Sequence, residues 1–275
     1  LFQENPNRGF PSLQTHKNWI NQSIFCGQPI KYGEVSSNHG EGLMSKITCF
    51  QHIDCEGPGT LLNVLKSENI QVEIIKTYKG DPIPENLGDG LVVLGGPMGV
   101  YEEKKFPWMT LELNAIREFL KKEKPILGIC LGSQMLAHAA GAQVFRGAIP
   151  EVGWYPIQLT PEGHYNSLFL GLPGELNVFH WHGDTFTLPP NAVRLAGSHY
   201  YPQQVYQIGQ NAFGFQCHLE VTEEMVKSWA ALYAKELTPQ GGPVRPERIE
   251  DHLSENSRQL EGISEKVFSR FAALL

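Results

Sequence analysis

Three short stretches hold residue types that can do chemistry. In "PILGICLGSQ" (125–134), Cys130 stands between Gly128 and Gly132. In "FGFQCHLEVT" (213–222), His218 is followed two residues later by Glu220. In "VVLGGPMGVYEE" (92–103), an apolar run ends in Gly95, Gly96 and Pro97. A thiol needs a base to become a nucleophile, and the base needs a group that orients it. Cysteine, histidine and glutamate supply those three roles. The chemistry they suggest is acyl transfer to sulfur.

Gly-x-Cys-x-Gly between a short apolar run and a helical segment has the form of a nucleophile elbow with sulfur in place of oxygen. The turn is tight, and a side chain at either glycine would meet neighbouring backbone. Cys130 would then precede a helix N-terminus, where the helix dipole favours a thiolate. The Leu131 N–H would point to where an oxyanion forms. Free cysteine is also among the most buried residue types, so the pentapeptide alone equally fits an inert core thiol. The strand-then-helix context favours the nucleophile. His218 and Glu220 lie at i and i+2, which share a face in extended chain; alone, the pair also fits a solvated strand end. Glycines at 95 and 96 would let a backbone N–H approach a ligand closely, although strand-ending turns of this kind are common.

The elements that must position these residues alternate. Strands are expected at 46–51, 71–78, 90–96 and 125–130. Helices are expected at 59–69, at 107–123 with its proline start and lysine-rich last turn, and from Leu131 to a stop at Gly141. That order argues for an α/β fold with a mostly parallel central sheet, a single-domain three-layer sandwich. Strand-like runs then follow at short intervals, at 154–160, 175–182, 192–198, 203–208 and 212–220, and call for an antiparallel portion. A helix at 222–237 opens on the N-cap candidate Thr222, and an amphipathic helix over roughly 246–273 closes the chain. Residues 1–43 are rich in Asn, Gln, Ser and Gly without periodicity. They read as a leader outside the domain, with an accessory segment as the alternative. The domain is placed at 44–240, and 241–275 as a linker plus the last helix.

The 275 residues carry a formal net charge of −7, with 41% hydrophobic and 19% charged residues. A nucleic-acid binder would be basic, so neither nucleic acid nor an anionic membrane surface is expected as partner. No apolar run reaches the roughly 18 residues of a membrane helix, and no secretory pattern opens the chain. Five cysteines, odd in number and without a CxxC pair, suggest neither a zinc site nor a disulfide framework. A reducing cytoplasm is the expected location, with no metal and no cofactor.

The motifs "GGP", "GICLGSQ" and "FQCHLE", in this order and spacing, resemble the class I glutamine amidotransferases of the Cys-His-Glu type, and among them the amidotransferase domain of GMP synthetases and its small stand-alone relatives. The resemblance spans roughly residues 44–237. It implies Cys130 as nucleophile, His218 as general base and acid, and Glu220 as its orienting group. It implies the N–H groups of Gly96 and Leu131 as oxyanion hole and places Gln134 near bound glutamine. "HWHGDTF" (180–186) is similar to the group's "SHGD"-like segment, which makes His182 and Asp184 candidates for the substrate's α-amino end. Leu219 stands where the family usually has proline, and Cys217 where phenylalanine is common; neither change removes a catalytic atom. The implied reaction is hydrolysis of a γ-glutamyl amide through a cysteinyl thioester, with ammonia released to an acceptor that the resemblance does not name; a separate ammonia-accepting synthetase subunit is the candidate partner. A stand-alone γ-glutamyl peptidase and a non-catalytic binding protein on the same fold are the alternatives. No GxxxxGK[ST] phosphate loop appears.

Overall fold

The computed structural model describes residues 44–233 and 249–275. The leader assigned to 1–43, the end of the domain at 240 and the linker stretch 241–248 lie outside the described residues. The rest forms a nine-stranded mixed sheet between helices, the α/β architecture the alternation implies.

Four short strands are apolar on both faces. These are β1 (Lys46–Phe50), β3 (Gly90–Val93), β4 (Ile126–Ile129) and β9 (Ala212–Phe215), and nearly every residue in them is buried. Runs of this kind belong to strands covered on both sides. Together with β2 (Gln71–Ile75) they form the parallel half, in the order β2-β1-β3-β4-β9. Beyond β9 every pairing is antiparallel, through β8 (Val205–Ile208), β7 (Ala192–Gly197), β5 (Val144–Leu159) and β6 (Glu175–Phe186). The antiparallel half is therefore as large as the parallel one.

Two apolar layers cover the sheet. On one side pack α1 (Gly59–Ser67), α5 (Glu223–Leu232) and α6 (Leu253–Ala272), through residues such as Leu61, Leu65, Trp229, Leu260 and Phe268; the short α4 (Pro161–Tyr165) lies between β5 and β6 in the chain. On the other pack α2 (Trp108–Lys121) and α3 (Leu131–Ala139), through Leu113, Ile116, Met135 and Leu136. Helix α2 buries Met109, Leu113, Ile116 and Phe119, one helical stripe. Thr222 caps α5 as its sequence suggests, accepting from the Met225 N–H at 3.3 Å.

Two departures from expectation bear on the site. Strand β5 begins at Val144, ten residues early. Gly147 and Pro150 make that stretch read as loop, but a register shift between Arg146 and Glu151 absorbs the irregularity and lets the strand pair with β6. Strand β9 ends at Phe215 rather than 220. Beyond it the chain leaves the ladder: the Gln216 N–H donates to Gln204 O at 2.8 Å, and the His218 N–H to Phe179 O of β6 at 2.8 Å.

The glycines of the cysteine turn are required sterically. A Cβ on Gly132 would stand 1.9 Å from Val93 O, and one on Gly128 would stand 2.5 Å from Gly132 O. Both obstacles are backbone and cannot swing aside. Overpacking a core typically costs about 1–3 kcal/mol and more where nothing yields. Gly132→Ala should therefore lose about 3 kcal/mol, read as a lower urea midpoint at unchanged slope. A loss below about 0.5 kcal/mol would show that this contact relaxes freely.

Candidate active site

Parallel strands deliver their carboxyl ends to one edge, where α/β proteins bind ligands. Here Glu56 follows β1, Gly95 and Gly96 follow β3, Cys130 follows β4 and His218 follows β9. These are four neighbours in the sheet. Glu56, Gly96, Cys130 and His218 line a single cavity of about 470 Å³, together with Gln134, His182 and Asp184.

Cys130 adopts φ 50° and ψ −109°, a conformation L-residues rarely hold outside functional turns. It stands directly before α3, at the positive end of the helix dipole. The N–H groups on either side of Leu131 are engaged: Cys130 donates to Phe215 O at 2.7 Å and Gly132 to Leu94 O at 3.1 Å. Cys130 is 6% exposed, and its sulfur lies 3.7 Å from Trp181 O. Burial pushes the Cys49 and Cys217 thiols well above their ordinary range. Cys49, Cys55, Cys130 and Cys217 are all unbridged.

His218 and Glu220 meet as the i, i+2 spacing implies, although they lie past the strand. His218 Nδ1 is 2.7 Å from Glu220 Oε1, and both residues are buried. Alternation persists because Cys217 and Leu219 point into the core, and the bridge to Phe179 holds the segment in line. Helix α1 fixes Glu220 from behind, with the Thr60 N–H donating to Glu220 O at 2.8 Å. Ser264 of α6 donates to Leu219 O. Burial alone would lower the His218 pKa. The Glu220 charge and the neighbouring Cys130 thiol outweigh it and hold the ring well above its ordinary value. His218 Nε2 has no hydrogen-bond partner among the described residues.

A second histidine, His52, orients the Gly95–Gly96 peptide. Its Nδ1 lies 2.9 Å from Gly95 O and its Nε2 2.8 Å from Glu112 Oε2. In a planar trans peptide the C=O and the following N–H point in opposite directions. Pinning Gly95 O on the His52 side therefore turns the Gly96 N–H the other way. His52 is fully buried and stacks on Trp108 at 5.1 Å. Burial works against its charged form, but Glu112 prevails and raises its pKa.

The remaining expected residues divide. Gln134 lines the cavity and donates through Nε2 to Gln216 Oε1 at 3.1 Å. Asp184 accepts from the Tyr101 hydroxyl at 2.9 Å and lies 3.5 Å from Arg146, while its Oδ1 has no hydrogen bond. His182 is engaged at both ring nitrogens, 3.0 Å from Asp184 O and 2.9 Å from Glu151 Oε2. Both of its nitrogens thus face protein, whereas Asp184 Oδ1 is buried with Arg146 as its ion-pair neighbour and accepts no hydrogen bond among the described residues.

Glu151, His180 and His182 bring potential ligand atoms within 4.8 Å of one another, a grouping of metal-binding type where the sequence suggested none. The Glu151 oxygens already accept from Ser198, Gln204 and His182 at 2.6, 2.6 and 2.9 Å. Burial, partly opposed by the Glu151 charge, pulls the His180 pKa down to about 3.

Glu56, His52, Tyr101, Arg146, Trp181, Trp229 and Tyr233 escape the sequence reading. Glu56 left one signal, its place in a Gly-Pro turn at the carboxyl end of the first strand. The others come together only through the fold.

Comparison with known proteins identifies the family. The family model for glutamine amidotransferase class-I matches residues 52–228. The glutamine amidotransferase-like protein YfeJ of Salmonella typhimurium is 35% identical over 181 residues, which cover 64% of this chain and 76% of that protein. The glutamine-hydrolysing GMP synthase of Aeropyrum pernix is 28% identical over 221 residues, 77% of this chain but 41% of the synthase. The crystal structure of a glutamine amidotransferase from Thermotoga maritima superposes with TM-score 0.76 at 35% identity, covering 84% of this chain and 99% of that one. One from Methylobacillus flagellatus gives 0.79 at 30%, covering 85% and 96%. The chain belongs to the class I glutamine amidotransferase family.

Proposed function

We propose that the chain hydrolyses γ-glutamyl amides through a thioester on Cys130. One observation carries this reading: the strained Cys130 turn and the buried His218–Glu220 pair open into the same cavity. The Cys130 thiolate attacks the side-chain amide carbon. The oxyanion is held by the Gly96 N–H, turned by His52, and by the Leu131 N–H, whose neighbours are already engaged. As the C–N bond breaks, His218 gives its proton to the departing nitrogen. It then takes a proton from water, whose oxygen attacks the thioester and releases glutamate and the thiolate. Gln134 and Asp184 are assigned to the glutamyl end of the substrate, with His182 holding the Asp184 backbone.

Glutamine is the proposed substrate, with a separate synthetase chain as ammonia acceptor; the match to glutamine-hydrolysing GMP synthase supports this. The size of the cavity favours a second reading, a γ-glutamyl peptidase. A space of about 470 Å³ falls in the range that encloses drug-sized ligands and leaves room for a leaving group larger than ammonia.

A diazo-ketone analogue of glutamine should label the purified chain once, at Cys130, as read by peptide mass spectrometry. A folded chain that is not labelled would overturn the proposal. Glutamate release from γ-glutamyl dipeptides faster than from glutamine would favour the peptidase.

A further inference from the structure

Glu56 lies in the same cavity and has no role in the reaction as written. It lies in the loop between β1 and α1, and its carboxylate reaches the centre of the site. A methyl group placed on Gly95 would stand 2.3 Å from Glu56 Oε2, 3.4 Å from His218 Cε1 and 3.5 Å from Cys130 Cβ. A single point therefore touches the carboxylate, the base and the nucleophile residue. Among the described residues the carboxylate accepts one long hydrogen bond, from the Tyr233 hydroxyl at 3.3 Å, and no lysine or arginine pairs with it. A largely buried carboxylate with no lysine or arginine partner leans on the His218 and His52 rings nearby, and a further positive group would stabilise it.

Aromatic rings stand beside it. Trp181, Trp229 and Tyr233 line the cavity with Glu56. Trp181 and Trp229 meet edge to face at 6.2 Å, and Trp181 and Tyr233 lie 5.6 Å apart. Trp229 also touches the His218 ring at 4.9 Å, and Trp181 O is 3.7 Å from the Cys130 sulfur. Electron-rich rings together with a carboxylate select an organic ammonium group.

We propose that Glu56, with Trp181, Trp229 and Tyr233, forms an amine subsite that receives the nitrogen leaving the Cys130 thioester and admits amines that attack it. This rests on the thioester reading above. In the forward direction His218 supplies the proton that frees the amine. Glu56 accepts a hydrogen bond from its N–H and, when protonated, gives up its own proton to leave an ammonium–carboxylate pair. In the reverse direction an ammonium ion gives a proton to Glu56 and attacks as free amine. The C–S bond breaks, the new C–N bond forms, and the second nitrogen proton passes to His218. A carboxylate that exchanges protons near neutrality suits this task. Burial raises Glu56 to about 7, with Glu220 adding to the rise and with His218, His52 and the Tyr233 hydroxyl opposing it.

The experiment measures how the acyl-enzyme partitions between water and methylamine, by quantifying glutamate and γ-glutamyl methylamide. In the wild type the amide yield should rise with methylammonium and saturate. Glu56→Gln should lower the amide-to-glutamate ratio about tenfold, in line with loss of a charged hydrogen bond, and Glu56→Asp should restore part of it. An unchanged ratio in Glu56→Gln, with Cys130 still labelled by the diazo-ketone, would overturn the subsite and leave the thioester reading intact. A wild type that is not labelled would overturn both. If Glu56→Gln does not fold, the wild type decides: saturation by methylammonium supports the subsite, and strictly linear dependence overturns it.

Discussion

Cys130→Ala should abolish glutamate release, by about 10⁴-fold or more, while the protein stays folded. The magnitude follows from what alanine removes. It keeps the Cβ, so the turn at φ 50° meets the same sterics. It deletes the sulfur, and no neighbouring group can form the covalent intermediate. Where a nucleophile acts as part of a unit with its base, losing it alone costs as much as losing the whole unit, about 10⁶-fold in one well-studied protease. Residual catalysis comes from the oxyanion donors and from binding. Cys217 lies one residue before His218, but it points into the core and burial keeps it a thiol, so it cannot substitute. The check is coupled detection of glutamate together with mass spectrometry of the acylated chain. Turnover within tenfold of wild type would remove Cys130 from the mechanism.

The second large effect is expected from Glu220→Gln. The side chain keeps its shape and can still meet His218 Nδ1, but the charge is gone. Two consequences separate. The imidazole loses the group that fixes its tautomer, and the comparable change in a serine protease costs about 10⁴-fold. The ring also loses the main force that raises its pKa against burial. The sign follows directly. If the protonated ring delivers the proton to the leaving nitrogen, activity falls as pH rises through the His218 pKa. In the glutamine variant that pKa drops, so the alkaline limb of kcat/KM moves to lower pH. Equal loss at all pH values would assign Glu220 a packing role instead. Glu220 Oε2 is buried without a hydrogen bond among the described residues, so the amide that replaces the carboxylate finds no ready partner there. A melting curve should therefore accompany the kinetics.

The turn around Cys130 was legible because its constraints are local. Gly128 and Gly132 must lack side chains because strand, turn and helix crowd within a few residues of one another, and such crowding leaves its mark on neighbouring letters. His218 and Glu220 were legible for a similar reason. Their spacing of two survives even though β9 stops at Phe215, since an isolated bridge to Phe179 replaces the ladder. The length of β5 was not legible, because its pairing with β6 tolerates the glycine and proline that ordinarily mark a loop.

The sequence by itself therefore determined the parallel core, the nucleophile candidate and its base, since each depends on short-range periodicity, turn sterics and residue chemistry. Tertiary structure alone decided what surrounds them. Strand order makes β1, β3, β4 and β9 neighbours, and only that order sets Glu56 and Gly95 beside Cys130 and His218. Trp181, Trp229 and Tyr233 come from a strand, a helix and the residue after that helix, and they meet at the cavity that Cys130 and His218 also line. No pattern along the chain encodes such a wall, because its members are apolar residues that read as ordinary core until the fold turns them toward a cavity.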